Sequence, residues 1–265
     1  MRLGRINTFG NHELETYTKM KESGMEFVEI CCNFDHDSQN VIDQKENIKK
    51  VSEQSGLDIS CLGRWNHEIL SGGKIDGEKL ELYKNLLDTA IFLGAKTFVC
   101  GCNFDESISL YKNYTKAIEF FGALCDHAKG KNIKVAIQNC NWNNYYVAPE
   151  QWKVVLGEIP ELCIKFDASH SYNRHANYLD ELADWGDRIA HVHIKGTTHA
   201  GKTGSVDDPP AGMDDLSWGS IFAILYARGY DGDLSIEPHS KTWHGPLGDA
   251  GVAFTRDFIR RFMLS

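Results

Sequence analysis

Four short runs in the second half of the chain end in side chains that bind metals or move protons. They are Val135-Ala136-Ile137-Gln138-Asn139, Ile164-Lys165-Phe166-Asp167-Ala168-Ser169-His170, His191-Val192-His193-Ile194-Lys195-Gly196 and Leu234-Ser235-Ile236-Glu237-Pro238-His239. Each reads as a β-strand, in which successive side chains point to opposite faces. In the third run Ala190, Val192 and Ile194 share one face, while His191, His193 and Lys195 share the other. By the same parity Asp167 faces away from Phe166, and Glu237 away from Ile236. Side by side, with helices over their apolar faces, the four strands aim Gln138, Asp167, His193 and Glu237 into one mouth. Oxygen donors with one imidazole suit a hard to borderline divalent ion: Mn²⁺ first, or Mg²⁺, Co²⁺ or Zn²⁺. A single inward His or Asp in a strand is more often a hydrogen-bonded structural residue. Four at equivalent heights resist that explanation, because buried unpaired charge is costly.

The elements that must hold these side chains alternate along the whole chain. Strand-like runs cover residues 3–9, 27–32, 59–64, 97–102, 135–140, 163–167, 189–195 and 234–237. Helix-like segments cover 13–22, 39–55, 78–93, 108–129, 149–159, 179–185, 218–228 and 249–262. Strands alternating with helices imply a parallel sheet, and eight such units favour closure into a (β/α)₈ TIM barrel over an open sheet. Gly24 and Gly94 sit where helices end, and Pro149 where one begins. No linker divides the chain, so residues 1–265 are expected to form a single α/β domain. In such a barrel the chemistry lies at the C-terminal ends of the strands. The longest irregular stretch, 196–216, carries Gly201, Gly204, Pro209, Pro210 and Gly212, and a loop of that length is expected to cover the mouth.

Composition narrows the partners. The formal charge of −9 lacks the basic field that a nucleic acid or an anionic membrane requires, so neither is expected as a partner. No apolar run approaches the roughly 20 residues of a membrane span, and no hydrophobic signal core follows Met1-Arg2-Leu3-Gly4-Arg5. The eight cysteines follow no disulfide framework and form no CxxC pair. They read as small core or pocket residues of a protein in a reducing cytoplasm.

At these residues the chain resembles the sugar phosphate isomerase/epimerase family, also called the xylose-isomerase-like or AP-endonuclease-2-like barrels. The resemblance runs through the whole length and is strongest from Val135 to His239. It is carried by Asp167-x-x-His170, His191-x-His193-Ile194-Lys195, Pro209-Pro210-x-Gly212, Gly229-Tyr230-Asp231-Gly232 and Ser235-Ile236-Glu237. In that family a Glu, an Asp, a His and a Glu on strands five to eight bind the metal. The resemblance therefore implies Gln138, Asp167, His193 and Glu237 as ligands, and His170 against the substrate. Gln138 departs from the pattern: family epimerases use two glutamates as paired acid and base, and an amide neither takes nor gives a proton near neutral pH. Gly196 departs less, standing where many relatives carry an acid.

The implied activity is that of a divalent-metal-dependent isomerase or epimerase acting on a keto sugar or related polyol. Glu237 would be the base beside the metal, with His170, Lys195 and His239 as donors or orienters. The same parts can run a β-elimination from a 3-keto sugar, as in family lyases that cleave C-glycosides or dehydrate keto sugars. Glu29 with Asn33, Trp65 with Asn66 and His67, Asn103, and Trp142 in Asn141-Trp142-Asn143-Asn144 follow earlier strands and are candidate substrate contacts, as are Trp243 and His244. A DNA-repair endonuclease of the same fold would need a multi-zinc cluster with more His and Asp ligands than the loops supply. A non-catalytic sugar-binding subunit, alone or in a homo- or hetero-oligomer, is the other alternative, with Gln138 in its favour.

Overall fold

The computed structural model describes residues 1–7, 11–200 and 204–264. Eight parallel strands close into a barrel: β1 (Arg2–Asn7), β2 (Phe27–Cys32), β3 (Asp58–Arg64), β4 (Thr97–Cys100), β5 (Lys134–Gln138), β6 (Cys163–Asp167), β7 (Ile189–Ile194) and β8 (Asp233–Ile236). Each strand pairs with its sequence neighbours, and β8 closes the ring on β1 with Leu3 opposite Leu234. The expected strand at 3–9 is described as far as Asn7; Thr8 and Phe9 lie outside the described residues, as does Gly201.

Helices fill the connections, with three departures from the sequence expectation. The segment expected as one helix at 39–55 is two, Asp35–Asp43 and Lys45–Ser55, which meet at Gln44. The first starts early because the Asp37 carboxylate accepts from the backbone N–H groups of Asn33 and Phe34, at 2.9 Å each. A short helix, Ala168–Asn173, follows β6 directly, and the Asp167 carboxylate caps it through Ser169 N. The last helix, Gly245–Ile259, begins with Pro246 in its first turn, four residues before apolar periodicity marks it.

The main core lies between strands and helices, around Trp152, Tyr17, Phe98, Phe120 and Phe222. A smaller cluster inside the barrel contains Cys61, Trp65, Val99, Ala136 and Cys140. All eight cysteines are free. The expected parity of β7 holds for His191 and His193 but not for Ala190. A register slip opposite Ile164/Lys165 in the β6–β7 pair brings Ala190 against the interior cluster instead. At the N-terminal end the Arg2 guanidinium grips Asp233 through Nε (2.8 Å) and Nη2 (2.7 Å) and reaches Asp58 through Nη1 (2.7 Å).

At the other end, the segment after β7 folds into a small antiparallel pair, Thr198–His199 with Ser205–Asp207. Asp207 accepts from Ser240, and Asp208 pairs with His239 at 3.0 Å, so this segment lies over the mouth at β7 and β8 as expected. No helix among the described residues is long and apolar enough to cross a membrane.

Candidate functional site

The site is built around His193. Glu29 on β2 is fully buried and accepts from His191 Nε2 (2.8 Å) and His193 Nε2 (2.9 Å), both on β7 across the barrel. Burial alone would favour the neutral acid. The two imidazoles more than offset that and hold Glu29 well below the ordinary carboxylate range. With its Nε2 proton committed to Glu29, a neutral His193 turns its Nδ1 lone pair toward Glu237 Oε2, 3.1 Å away. Two lone pairs at that distance repel unless a proton or a cation lies between them. The proton is the local answer: burial lowers the His193 pKa, but Glu29 and Glu237 raise it further, for a net rise.

Asp167 ends β6 opposite His193 in the register. Its Oδ1 accepts from Ser169 N (2.9 Å) and Ser169 Oγ (2.6 Å). Its Oδ2 is buried without a hydrogen bond. Lys195 Nζ stands 3.3 Å from that oxygen, 3.5 Å from Glu237 Oε2 and 3.1 Å from His170 Nε2. Burial works against the charge on Lys195, yet Asp167 and Glu237 raise its pKa strongly, so it stays an ammonium. Burial is also the largest influence on both carboxylates; Lys195, with other nearby cations, overcomes it and leaves them ionised. His170 goes the other way: burial and then Lys195 lower it to about 3, so it is a neutral imidazole.

Sequence reasoning passed over Lys165, which shares the parity of Asp167 and lies one step down the barrel. Its Nζ is buried without a hydrogen bond, 4.0 Å from Asp167 Oδ2 and 5.8 Å from the Trp65 ring. Trp65 folds back into the barrel and stacks on the His193 ring at 6.2 Å. It can do so because position 63 is glycine: a Cβ there would fall 2.1 Å from the indole. Gln138, at the end of β5, pairs in register with Lys165. Its Nε2 contacts His67 Nε2 at 2.7 Å, and its Oε1 is buried without a partner. Burial lowers the His67 pKa far enough to keep that ring neutral.

These atoms suit a divalent cation. Asp167, His193 and Glu237 each offer one ligand atom within 4.8 Å of the others. Beside them Gln138 Oε1 and Asp167 Oδ2 are buried oxygens left without a hydrogen bond, a condition that a ligand relieves. Glu29 behind His193 is the carboxylate partner that typically orients a metal-binding imidazole. Glu29, His191 and His193 lie equally close together. Their carboxylate and N–H groups are satisfied by one another and by Ser235 Oγ, so that group needs no ion.

The remaining expected residues divide between the mouth and the frame. His170 and Glu237, with 19% and 16% of their side chains exposed, connect the buried cluster to solvent. Trp142 is exposed at the rim, edge-on to Phe34. His239 is exposed and paired to Asp208. Asn103 spends its amide on Ile69 N, Leu70 N and Leu70 O, which anchors the segment after β3 rather than facing the mouth. Glu29 and His67 lie beneath the mouth, each bonded to a member of the expected ligand set.

The family model for the xylose isomerase-like TIM barrel matches residues 17–261. Among solved structures, the barrel is similar to 3-keto-D-glucoside 4-epimerase from E. coli, with TM-score 0.76 and 18% identity over 97% of this chain and 99% of the other. It is similar to D-allulose 3-epimerase from Methylomonas sp., with TM-score 0.78 and 18% identity over 99% and 98%. It also matches a xylose isomerase domain protein from Alicyclobacillus acidocaldarius, with TM-score 0.76 and 14% identity over 98% of each chain. At these identities the likeness concerns the fold.

Proposed function

The chain belongs to the xylose isomerase-like TIM barrel family, and on that premise we propose that it is a metal-dependent isomerase or epimerase acting on a keto sugar or related polyol. The observation that carries this reading is the convergence of Asp167, His193 and Glu237 on one point, where an oxygen of Asp167 and the Gln138 carbonyl are buried without a hydrogen bond. The metal, Mn²⁺ first, would be held by Gln138, Asp167, His193 and Glu237. When bound it supplies Lewis-acid polarisation of a carbonyl and so acidifies the neighbouring C–H.

The chain's own residues do the rest. Glu237 is ionised and partly exposed at the mouth, and takes the proton as general base. Lys195 is the cation that can stabilise negative charge developing on a substrate oxygen, and neutral His170 beside it can exchange hydrogen bonds with a hydroxyl. Trp65 offers an indole face at the floor of the site. Eight free cysteines suit a reducing cytoplasm. The names of the structural neighbours, a 3-keto-glucoside epimerase and ketose 3-epimerases, support a keto-sugar substrate.

Gln138 favours a second reading. With Gln138 in place of a second glutamate, a two-base epimerisation lacks its second proton donor, whereas elimination of a β-substituent needs only one strong base. The test is NMR of D-fructose, D-allulose and a 3-keto-D-glucoside with the Mn²⁺-loaded protein in D₂O. Deuterium appearing next to the carbonyl supports proton abstraction; a released substituent marks the lyase. No exchange with any keto sugar, at full metal occupancy, would leave a sugar-binding barrel without turnover.

A further inference from the structure

Gln138 is the neutral member of the proposed ligand set, and an amide presents two groups of nearly equal shape. Its oxygen can bind a cation; its NH₂ cannot. Which one faces the barrel interior decides whether Gln138 is a ligand at all, and that choice is made outside the mouth.

His67 follows β3 and is fully buried, with Nε2 at 2.7 Å from Gln138 Nε2 and Nδ1 at 2.7 Å from Tyr83 Oη. Tyr83 lies on the helix Gly77–Leu93 and is itself buried. With the amide nitrogen against it, His67 Nε2 must accept, so the single proton of a neutral ring sits on Nδ1 and donates to the Tyr83 oxygen. The frame permits little else. Position 101 is glycine, and a Cβ there would fall 2.6 Å from His67 Nε2. Asn144 Nδ2 donates to the backbone oxygens of Gln138 (2.9 Å) and Cys140 (3.0 Å), which fixes the end of β5. What remains of Gln138 is Oε1, buried and unpartnered.

We propose that the Tyr83–His67 pair is a positioning device that sets the tautomer of His67 and thereby turns the Gln138 carbonyl oxygen into the site as a cation ligand. The proposal rests on the metal-dependent reading above. It makes His67 a positioning residue that never touches substrate. It also explains how a neutral amide can stand where a charged ligand would need no orientation, since a carboxylate offers an oxygen on either side.

The test has two arms on the full chain. Two-bond ¹H–¹⁵N correlation spectra of histidine-labelled protein, assigned by the resonances lost in His67→Gln, report the His67 tautomer directly. The proposal requires Nδ1–H. An Nε2–H ring would mean that Tyr83 donates, the amide is reversed and Gln138 is no ligand, and this overturns it. In the second arm, Mn²⁺ titration of His67→Phe is expected to show affinity about 10- to 100-fold below that of the wild type, the usual cost of losing a partner that orients a ligand. Unchanged affinity in a folded variant overturns the proposal while leaving the metal reading intact. A wild type that takes up no Mn²⁺ removes the metal reading itself, and this inference with it. The tautomer arm reads the wild-type spectrum and uses His67→Gln only for assignment, so a His67→Phe variant that fails to fold leaves it decisive.

Discussion

The two ends of the barrel both bury carboxylates beside cations, and they treat them in opposite ways. At the N-terminal end Asp233 receives two parallel hydrogen bonds from Arg2 and a third from Ser60, and Arg2 spends its remaining arm on Asp58. At the C-terminal end Asp167 uses one oxygen and leaves the other without a hydrogen bond. There Gln138 Oε1 and Lys165 Nζ are also buried without one. Bidentate, fully paired charge at the closed end holds β1, β3 and β8 together. The open end carries the desolvation cost of polar groups left without a hydrogen bond. The difference separates residues that support the fold from residues that the proposed function reserves for chemistry, although both are buried.

The largest expected effect breaks the mouth and spares the fold. Glu237→Gln should slow solvent deuterium exchange about 10²- to 10⁴-fold, the usual contribution of a general base, with the thermal midpoint nearly unchanged. A collapse of the midpoint would make Glu237 structural, like Asp233. The reverse substitution is Asp233→Ala, which should cost about 2 kcal/mol in urea unfolding and leave exchange per folded molecule as it was. Its pH signature has a definite sign. Burial raises the Asp233 pKa, but hydrogen bonds from Arg2 and Ser60 more than offset this, and the folded value is lowered. The unfolded chain therefore binds the proton more tightly. The stability from this pair is present above the unfolded value near 3.9 and is lost as pH falls below it, so the variant should shed part of the acid limb of the wild-type curve. A smaller effect is expected at Lys165. Methionine in its place removes a buried Nζ that makes no hydrogen bond and should raise stability by about 1 kcal/mol while lowering exchange. A loss of stability would show that Lys165 belongs with the structural set.

The barrel and its mouth were legible because they rest on local rules. Short apolar runs marked all eight strands, and parity in the last of them aimed Gln138, Asp167, His193 and Glu237 inward. Parity also pointed to Lys165, a signal that could have been used. It misled at Ala190, where the register slip is a property of the paired strands and leaves no mark on either alone. Helix starts were misplaced where a side chain overrides periodicity, as Asp37 does for Asp35–Asp43 and Asp167 for Ala168–Asn173. The bonds from Glu29 to His193 and from His67 to Gln138 span 164 and 71 residues, so which buried groups meet across the barrel appears only once it closes.

The proposed cation site at the mouth rests on Gln138, Asp167, His193 and Glu237. The direct measurement is calorimetric titration of Mn²⁺ into metal-stripped protein, wild type beside Asp167→Asn. One ion bound per wild-type chain is expected, with binding lost in the variant while its fold is retained. No uptake by the wild type, or equal uptake by the variant, would contradict it.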